Sequence, residues 1–338
     1  MKTNYGIFML LLSGMLLFSC QTKDRNEYSQ IMGLTQGTTY HVTYRSEKPL
    51  KLEIDSLLAE FDTSLSTYNS ESLITAINEN RSDSSNIYLL TCIKKSIEVC
   101  EASDGAFDIT IGRIANMWGF GFKNKEEVSQ ARIDSLLPLI GCGKIQIDGT
   151  KIRKSDPNII LNVNAIAQGY AVDVVCLHLD QLGISDYMVE IGGEVRVKGL
   201  NPRQEKWKVG INVPVDDSLN LNQDIQEVVK MSNLSLATSG NYRKFYVENG
   251  VKYSHTLNPK TGYPVKHNLL SASVISSSCM EADAYATAFM VLGLEKSMQL
   301  LKLHPELEAY FISAGSGDEY IITYSPGMKQ HLESLENQ

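Results

Sequence analysis

The chain has 338 residues, 43% hydrophobic and 21% charged, and a formal net charge of −8. That length and balance fit one large globular domain, or two small ones, with a packed core. The acidic balance excludes a general nucleic-acid-binding surface, which needs clustered positive charge.

The N-terminus reads as a targeting segment, to be set aside before the fold is considered. Met1 and Lys2 form a short positive region, and Ile7 to Phe18 an apolar stretch interrupted only by Ser13 and Gly14. This stretch is too short to span a bilayer core, which takes ~20 apolar residues. Leu17-Phe18-Ser19-Cys20, followed by polar Gln21-Thr22-Lys23-Asp24, resembles a lipobox. On that reading residues 1–19 are a lipoprotein signal peptide and Cys20 becomes the lipidated first residue. Residues 20–30 then form a tether and residues 31–332 the folded domain, lipid-anchored on the extracytoplasmic, periplasmic side of a bacterial membrane. The remaining cysteines, Cys92, Cys100, Cys142, Cys176 and Cys279, are odd in number, lie in apolar contexts and have no metal-finger spacing. They read as buried thiols and not as a disulfide framework.

In chain order, Ile54, Leu57, Leu58 and Phe61 have helical spacing, as do Leu89, Leu90, Ile93, Ile97 and Cys100, with Gly105 just past the end of that helix. Asp148-Gly149 and Asn249-Gly250 sit between β-rich runs and predict hairpin turns. Gly192-Gly193, between Tyr187–Ile191 and Glu194–Lys198, predicts a third. Strands are expected at Trp207–Val213 and Ser271–Ser277, and helices at Ala167–Leu182 and Glu281–Leu292. Interleaved helices and antiparallel hairpins, with no linker, argue for a single α+β domain.

Standard nucleotide and hydrolase signatures are absent. Gly141-Cys142-Gly143-Lys144 ends like a P-loop, but Pro138 stands at the first glycine and Ile145 at the Ser/Thr position. Four other segments carry polar residues that packing does not demand. Gly105-Ala106-Phe107-Asp108, continuing to Asn116-Met117-Trp118-Gly119-Phe120-Gly121-Phe122, mixes glycines with aromatics, as a flat ligand or a plain core loop would require. Asn162-Val163-Asn164-Ala165-Ile166-Ala167-Gln168-Gly169 enters a helix, where two Asn and exposed backbone groups suit a phosphate or a hard cation, and Asn equally suits capping. Tyr253 to Pro264 holds His255 beside a fixed Asn-Pro turn, as a catalyst or a structural hydrogen-bonding residue. Asp283 and Thr287 lie four apart, so their oxygens share a helix side. They could offer oxygen donors to Mg²⁺, or be an N-terminal cap and an exposed hydroxyl.

Taken together, these segments resemble the ApbE family of flavin transferases. The resemblance starts at Gln36-Gly37-Thr38-Thr39-Tyr40 and passes through Phe61 to Tyr68, Gly105 to Gly121, Asn162 to Asp173 and Val189 to Glu194. It closes with Ala237 to Arg243, Ser254-His255 and Ala282 to Gly293. It implies a T-fold-like domain that moves FMN from FAD onto a threonine of an acceptor protein and releases AMP, with Mg²⁺, or Mn²⁺ in its place. By the same resemblance, Asp283, Thr287 and the Ala165 carbonyl would hold the metal. Gln36, Tyr68, Ala106, Phe107, Asp108, Asn162, Gln168 and Leu257 would contact FAD, and His255 would deprotonate the acceptor. Many relatives carry Asp where Asn162 and Asn258 stand, a charged residue at Gln168, and in some cases a further carboxylate at Ala286. The implied acceptor is a flavoprotein with a Ser/Thr-Gly-Ala-Thr-like motif, such as a subunit of an ion-pumping redox complex. An FAD pyrophosphatase and a non-catalytic flavin-binding lipoprotein remain as alternatives.

Overall fold

The computed structural model describes residues 27–122, 126–214, 224–241, 245–248, 251–317 and 319–333. The signal segment, Cys20 and the Asn249-Gly250 turn lie outside them. The chain opens with a hairpin of β1 (Ser29–Thr35) and β2 (Thr38–Tyr44). Ser29 and Gln30, assigned to the tether from sequence, already pair with Tyr44 and Thr43. Four helices follow: α1 (Lys51–Leu65), α2 (Leu73–Asn78), α3 (Ile87–Ala102) and α4 (Gly112–Trp118). Next come α5 (Gln130–Leu136) and a small hairpin of β3 (Ile145–Asp148) and β4 (Lys151–Lys154). Helix α6 (Ala167–Gln181) leads to β5 (Tyr187–Ile191), β6 (Glu194–Lys198), β7 (Trp207–Asn212) and β8 (Ile225–Met231). Strand β9 (Leu234–Gly240) precedes a second small hairpin, β10 (Phe245–Glu248) and β11 (Val251–Ser254). The chain closes with β12 (Leu269–Ser276), α7 (Cys279–Leu292), α8 (Leu294–Leu301), β13 (Glu308–Ala314) and β14 (Tyr320–Tyr324).

One eight-stranded sheet, in the order β1-β2-β5-β6-β9-β12-β13-β14, organises these elements. Every adjacent pair in it is antiparallel. The two-residue period of a strand divides its side chains between two cores. Tyr40, Val42, Val189, Ile191, Val274 and Phe311 face a large core shared with α1, α3, α6 and α7. Val195, Val197, Leu236, Tyr310 and Ile312 face the other way, under the β7–β8 hairpin and its Trp207 and Val229. A third cluster joins Ile114, Met117 and Trp118 of α4 to Ile133 of α5 and to Leu257, and the Trp118 indole N–H donates to the Gly262 carbonyl at 2.8 Å.

The expected helices and hairpins form. Ile54, Leu58 and Phe61 turn inward from α1, and Ile191 pairs with Glu194 across the Gly192-Gly193 turn. The first hairpin was not expected. Its turn residues Gln36 and Gly37 both have positive φ, 50° and 74°, the geometry for which Asn-Gly or Asp-Gly is the usual sequence signal. The cysteine reading needs one correction: Cys100 and Cys142, 42 residues apart, form a disulfide, while Cys92, Cys176 and Cys279 are buried thiols. The bond ties the end of α3 to the turn before β3, a proximity that no local spacing reveals.

Helix α7 is buried on nearly every side, with Ala282, Ala284, Ala286 and Ala288 letting its neighbours close in. The tightest approach is to α6. A Cβ on Gly169 would stand 2.3 Å from the Cys279 carbonyl oxygen and 2.8 Å from the Asp283 Cβ. Gly169→Ala should therefore push the two helices apart and destabilise the protein by about 1–3 kcal/mol. A chemical-denaturation midpoint indistinguishable from wild type would contradict so close a crossing.

Candidate functional site

The site is assembled where α6 begins. The residues before the helix are wound into a turn by their own amides. Asn162 N–H donates to the Ile109 carbonyl (2.7 Å) and Ala167 N–H to that of Val163 (2.9 Å), while Asn164 N–H donates to Asn162 Oδ1 (3.0 Å). Asn164 Oδ1 accepts from the Thr67 hydroxyl at 3.4 Å, which brings the segment after α1, including exposed Tyr68, to the helix mouth. Ala165 lies in this turn, packed against the main core.

A helix start leaves its first amides without intrahelical acceptors. The Ile166 N-cap supplies no side-chain bond. The Gly169 N–H donates instead to Asp283 Oδ2, across the helix crossing at 3.1 Å. Asp283 is not the cap of its own helix, because Ser278 fills that role by accepting from the Glu281 N–H. Asp283 therefore does not cap α7, but accepts a leading amide of α6. One turn along α7, the Thr287 hydroxyl lies 3.1 Å from Ser239 Oγ on β9.

Asp283 is buried, and its described partner is an amide and not a cation. Burial pushes its carboxyl up to about 7, and the Gly169 N–H opposes that only in part. A bound divalent cation would supply the counter-charge that favours the ionised form.

The expected flavin contacts fall in three places. Gln168 and Gln36 belong with the α6 entrance. A Cβ on Gly192 would stand 2.4 Å from Gln168 Nε2 and 3.0 Å from Thr38 Cγ2, so the β5–β6 turn, the β1–β2 turn and α6 meet there. Gln36 Nε2 is buried with no hydrogen-bond partner among the described residues, an atom suited to a ligand acceptor. Ala106, Phe107 and Asp108 are buried, with the Phe107 ring in the main core, so the Phe107 side chain is taken up by packing. Asp108 Oδ1 accepts from the Thr110 N–H (2.8 Å) and hydroxyl (2.6 Å), and burial raises its carboxyl above the usual range. Leu257 and His255 form a separate wall. Leu257 packs with α4 and α5 and bridges to Pro264, and the half-buried His255 ring meets Phe120 edge-on with centroids 6.4 Å apart.

Two residues of the site region were missed from sequence. Ser239, inside the Ala237–Arg243 stretch, has no spacing that ties it to Thr287. Asp173 follows Gly169 by four on α6 and so faces α7, a spacing that was available to the eye.

Comparison with known proteins gives this arrangement a family. The ApbE family model matches residues 36–311. The chain belongs to the ApbE family. It is 35% identical over 299 residues to the FAD:protein FMN transferase of Vibrio cholerae, covering 85% of this chain and 88% of that protein. It is 30% identical to the Escherichia coli K12 protein of the same name, over the full length of both. The solved flavin transferase ApbE from Vibrio cholerae superposes with a TM-score of 0.81 at 33% identity, covering 90% of this chain and 99% of that one. The α+β domain expected from sequence is thus an ApbE fold.

The raised Asp283 carboxyl has a consequence for stability. Its value is higher in the folded chain than in the unfolded one, so the native state holds the proton more tightly. The resulting stabilisation is complete below about pH 4 and is lost as pH rises through about 7. In chelator-treated protein, the thermal midpoint should fall between about pH 5 and pH 8 by more in wild type than in Asp283→Asn. Parallel melting curves for the two across that range would show that Asp283 stays ionised throughout.

Proposed function

We propose that this chain is a Mg²⁺-dependent FAD:protein FMN transferase that esterifies a threonine hydroxyl of an acceptor protein with FMN and releases AMP. The observation that carries the reading is the buried Asp283 carboxylate, held against the start of α6 with Thr287 one turn away. Support also comes from similarity, over 85% of the chain in one case and all of it in another, to proteins named for that activity. A carboxylate, a hydroxyl and the Ala165 carbonyl are all hard oxygen donors, which suit Mg²⁺ or Mn²⁺ better than a soft metal. When bound, the metal neutralises charge on the pyrophosphate oxygens of FAD.

The chain's own residues do the rest. Asp283 and Thr287 present oxygens from one side of α7, and Ala165 presents its carbonyl from the turn before α6. Gln36, Tyr68, Asn162 and Gln168 hold FAD at the α6 entrance, with the backbone of Ala106 to Asp108 and Leu257 completing the contacts. His255 takes the proton of the acceptor hydroxyl at a ring nitrogen. The threonine oxygen bonds to the FMN-side phosphorus as the bond to the AMP phosphate oxygen breaks, and AMP leaves with that electron pair.

The deciding assay combines FAD, Mg²⁺ and an acceptor flavoprotein carrying a Ser/Thr-Gly-Ala-Thr-like segment, and measures AMP and protein-bound flavin. Equal release of AMP and gain of bound flavin is expected. AMP with free FMN would make the protein a pyrophosphatase, and FAD retention without AMP would make it a carrier. Asp283→Ala should slow transfer at least ~10²-fold. His255→Asn should slow it ~10²–10⁴-fold with FAD binding retained. A folded Asp283→Ala protein with full, EDTA-sensitive transfer would overturn the assignment.

The lipobox-like Leu17-Phe18-Ser19-Cys20 supports a further reading, that Cys20 is lipidated and holds the enzyme on the extracytoplasmic membrane face, near membrane-bound acceptors such as subunits of ion-pumping redox complexes. Among the described residues no helix is long and apolar enough to cross a membrane. Cys20→Ala should release the protein from membranes or block its processing. Unaltered mass and membrane retention in the variant would exclude lipid attachment at this cysteine.

A further inference from the structure

The geometry points to Asp173 as a positioning residue that sets how far α7 lies along α6, and so where Asp283 and Thr287 stand relative to the Ala165 carbonyl. It rests on the metal reading above and shares its Asp283–Gly169 contact, but is drawn from the contacts of Asp173, which that reading does not use. Asp173 lies on α6, one turn beyond Gly169. Its Oδ1 accepts from the Cys279 N–H (3.0 Å), and its Oδ2 from the Met280 N–H (2.9 Å) and the Ser278 hydroxyl (2.7 Å). These are the cap and the first two residues of α7. Arg196 on β6 donates to Asp173 Oδ1 and anchors the same carboxylate to the sheet.

The two helices therefore cap each other. Asp173 of α6 takes the leading amides of α7, and Asp283 of α7 takes the Gly169 amide of α6. Gly169 to Asp173 and Cys279 to Asp283 are each four residues, so the two contacts are rungs about one helical turn apart. A slip of α7 by a single residue, about 1.5 Å, would break both rungs. It would also exceed what Mg²⁺ tolerates, since that ion demands near-ideal geometry with oxygens at about 2.0–2.1 Å. Close approach at Gly169 permits the lower rung, while Asp173, charge-balanced by Arg196 and set against the positive end of α7, holds the upper one.

Asp173→Asn tests this with little change of shape. A control, Asp180→Asn, removes another carboxylate of α6, one that accepts from Tyr187 Oη (3.0 Å) and Lys198 Nζ (2.8 Å) away from the crossing. Two readouts are compared at matched loss of thermal stability: Mn²⁺ affinity by electron paramagnetic resonance, and hydrogen exchange of the Gly169 amide. Asp173→Asn should weaken Mn²⁺ binding about tenfold or more and speed Gly169 exchange, and Asp180→Asn should do neither. The proposal is overturned if Asp173→Asn binds Mn²⁺ within about twofold of wild type with Gly169 protection unchanged, or if Asp180→Asn reproduces both effects. Should wild type itself bind no Mn²⁺, the metal assignment falls, and Gly169 exchange alone decides whether Asp173 sets the register.

Discussion

The close crossing of α6 and α7 at Gly169 is the constraint on which the rest of the structure depends. Two helices approach this tightly only where side chains are absent or small, and here a glycine faces the Cys279 carbonyl while α7 carries alanine at alternate positions. The contact is also polar. Each helix delivers a carboxylate to the unsatisfied amides of the other, so the crossing has a fixed register where purely apolar surfaces could slide.

That arrangement explains why a costly group is tolerated. A buried carboxylate without a cation destabilises a fold, and the high carboxyl of Asp283 is the sign of it. The surrounding structure offsets the cost with the large core between the sheet and α1, α3, α6 and α7, in which Tyr40, Phe61, Tyr187, Phe289 and Phe311 are all fully buried. A rigid setting of this kind holds oxygen donors in place before a ligand arrives. It also puts the donors at the positive end of a helix, where phosphate oxygens are favoured.

Around that centre the residues proposed to contact flavin come from walls of different origin. The α6 entrance is built by the main sheet, through the turns at Gln36 and Gly192. The His255 wall belongs to the cluster of α4 and α5, pinned by the Trp118–Gly262 bond. Between them runs the Ala106–Asp108 segment, which follows α3 and lies beside the Cys100–Cys142 disulfide, with Cys100 Sγ 3.6 Å from Asp108 Oδ2. In a fold whose site is shared between two hydrophobic clusters, that covalent tie restrains the segment joining them.

The sequence by itself determined the helices around Phe61, Ile93, Val174 and Tyr285, the hairpin turns at Gly149 and Gly192, and the family. Those signals are local: a 3.6-residue or two-residue period, a glycine at positive φ, a motif of adjacent residues. It also paired Asp283 with Thr287, because four residues on a helix fix a shared side. Only the tertiary structure decided what these groups do to one another. The Cys100–Cys142 bond, the contact of Asp283 with Gly169 and that of Asp173 with Cys279 join residues 42, 114 and 106 positions apart. The Gln36-Gly37 turn escaped for a related reason. Gln36 at positive φ carries no preference of its own for the turn, which is set instead by the pairing of β1 with β2. Local chemistry sets which residues can form an element, whereas packing between elements sets which amide a buried carboxylate meets and at what register.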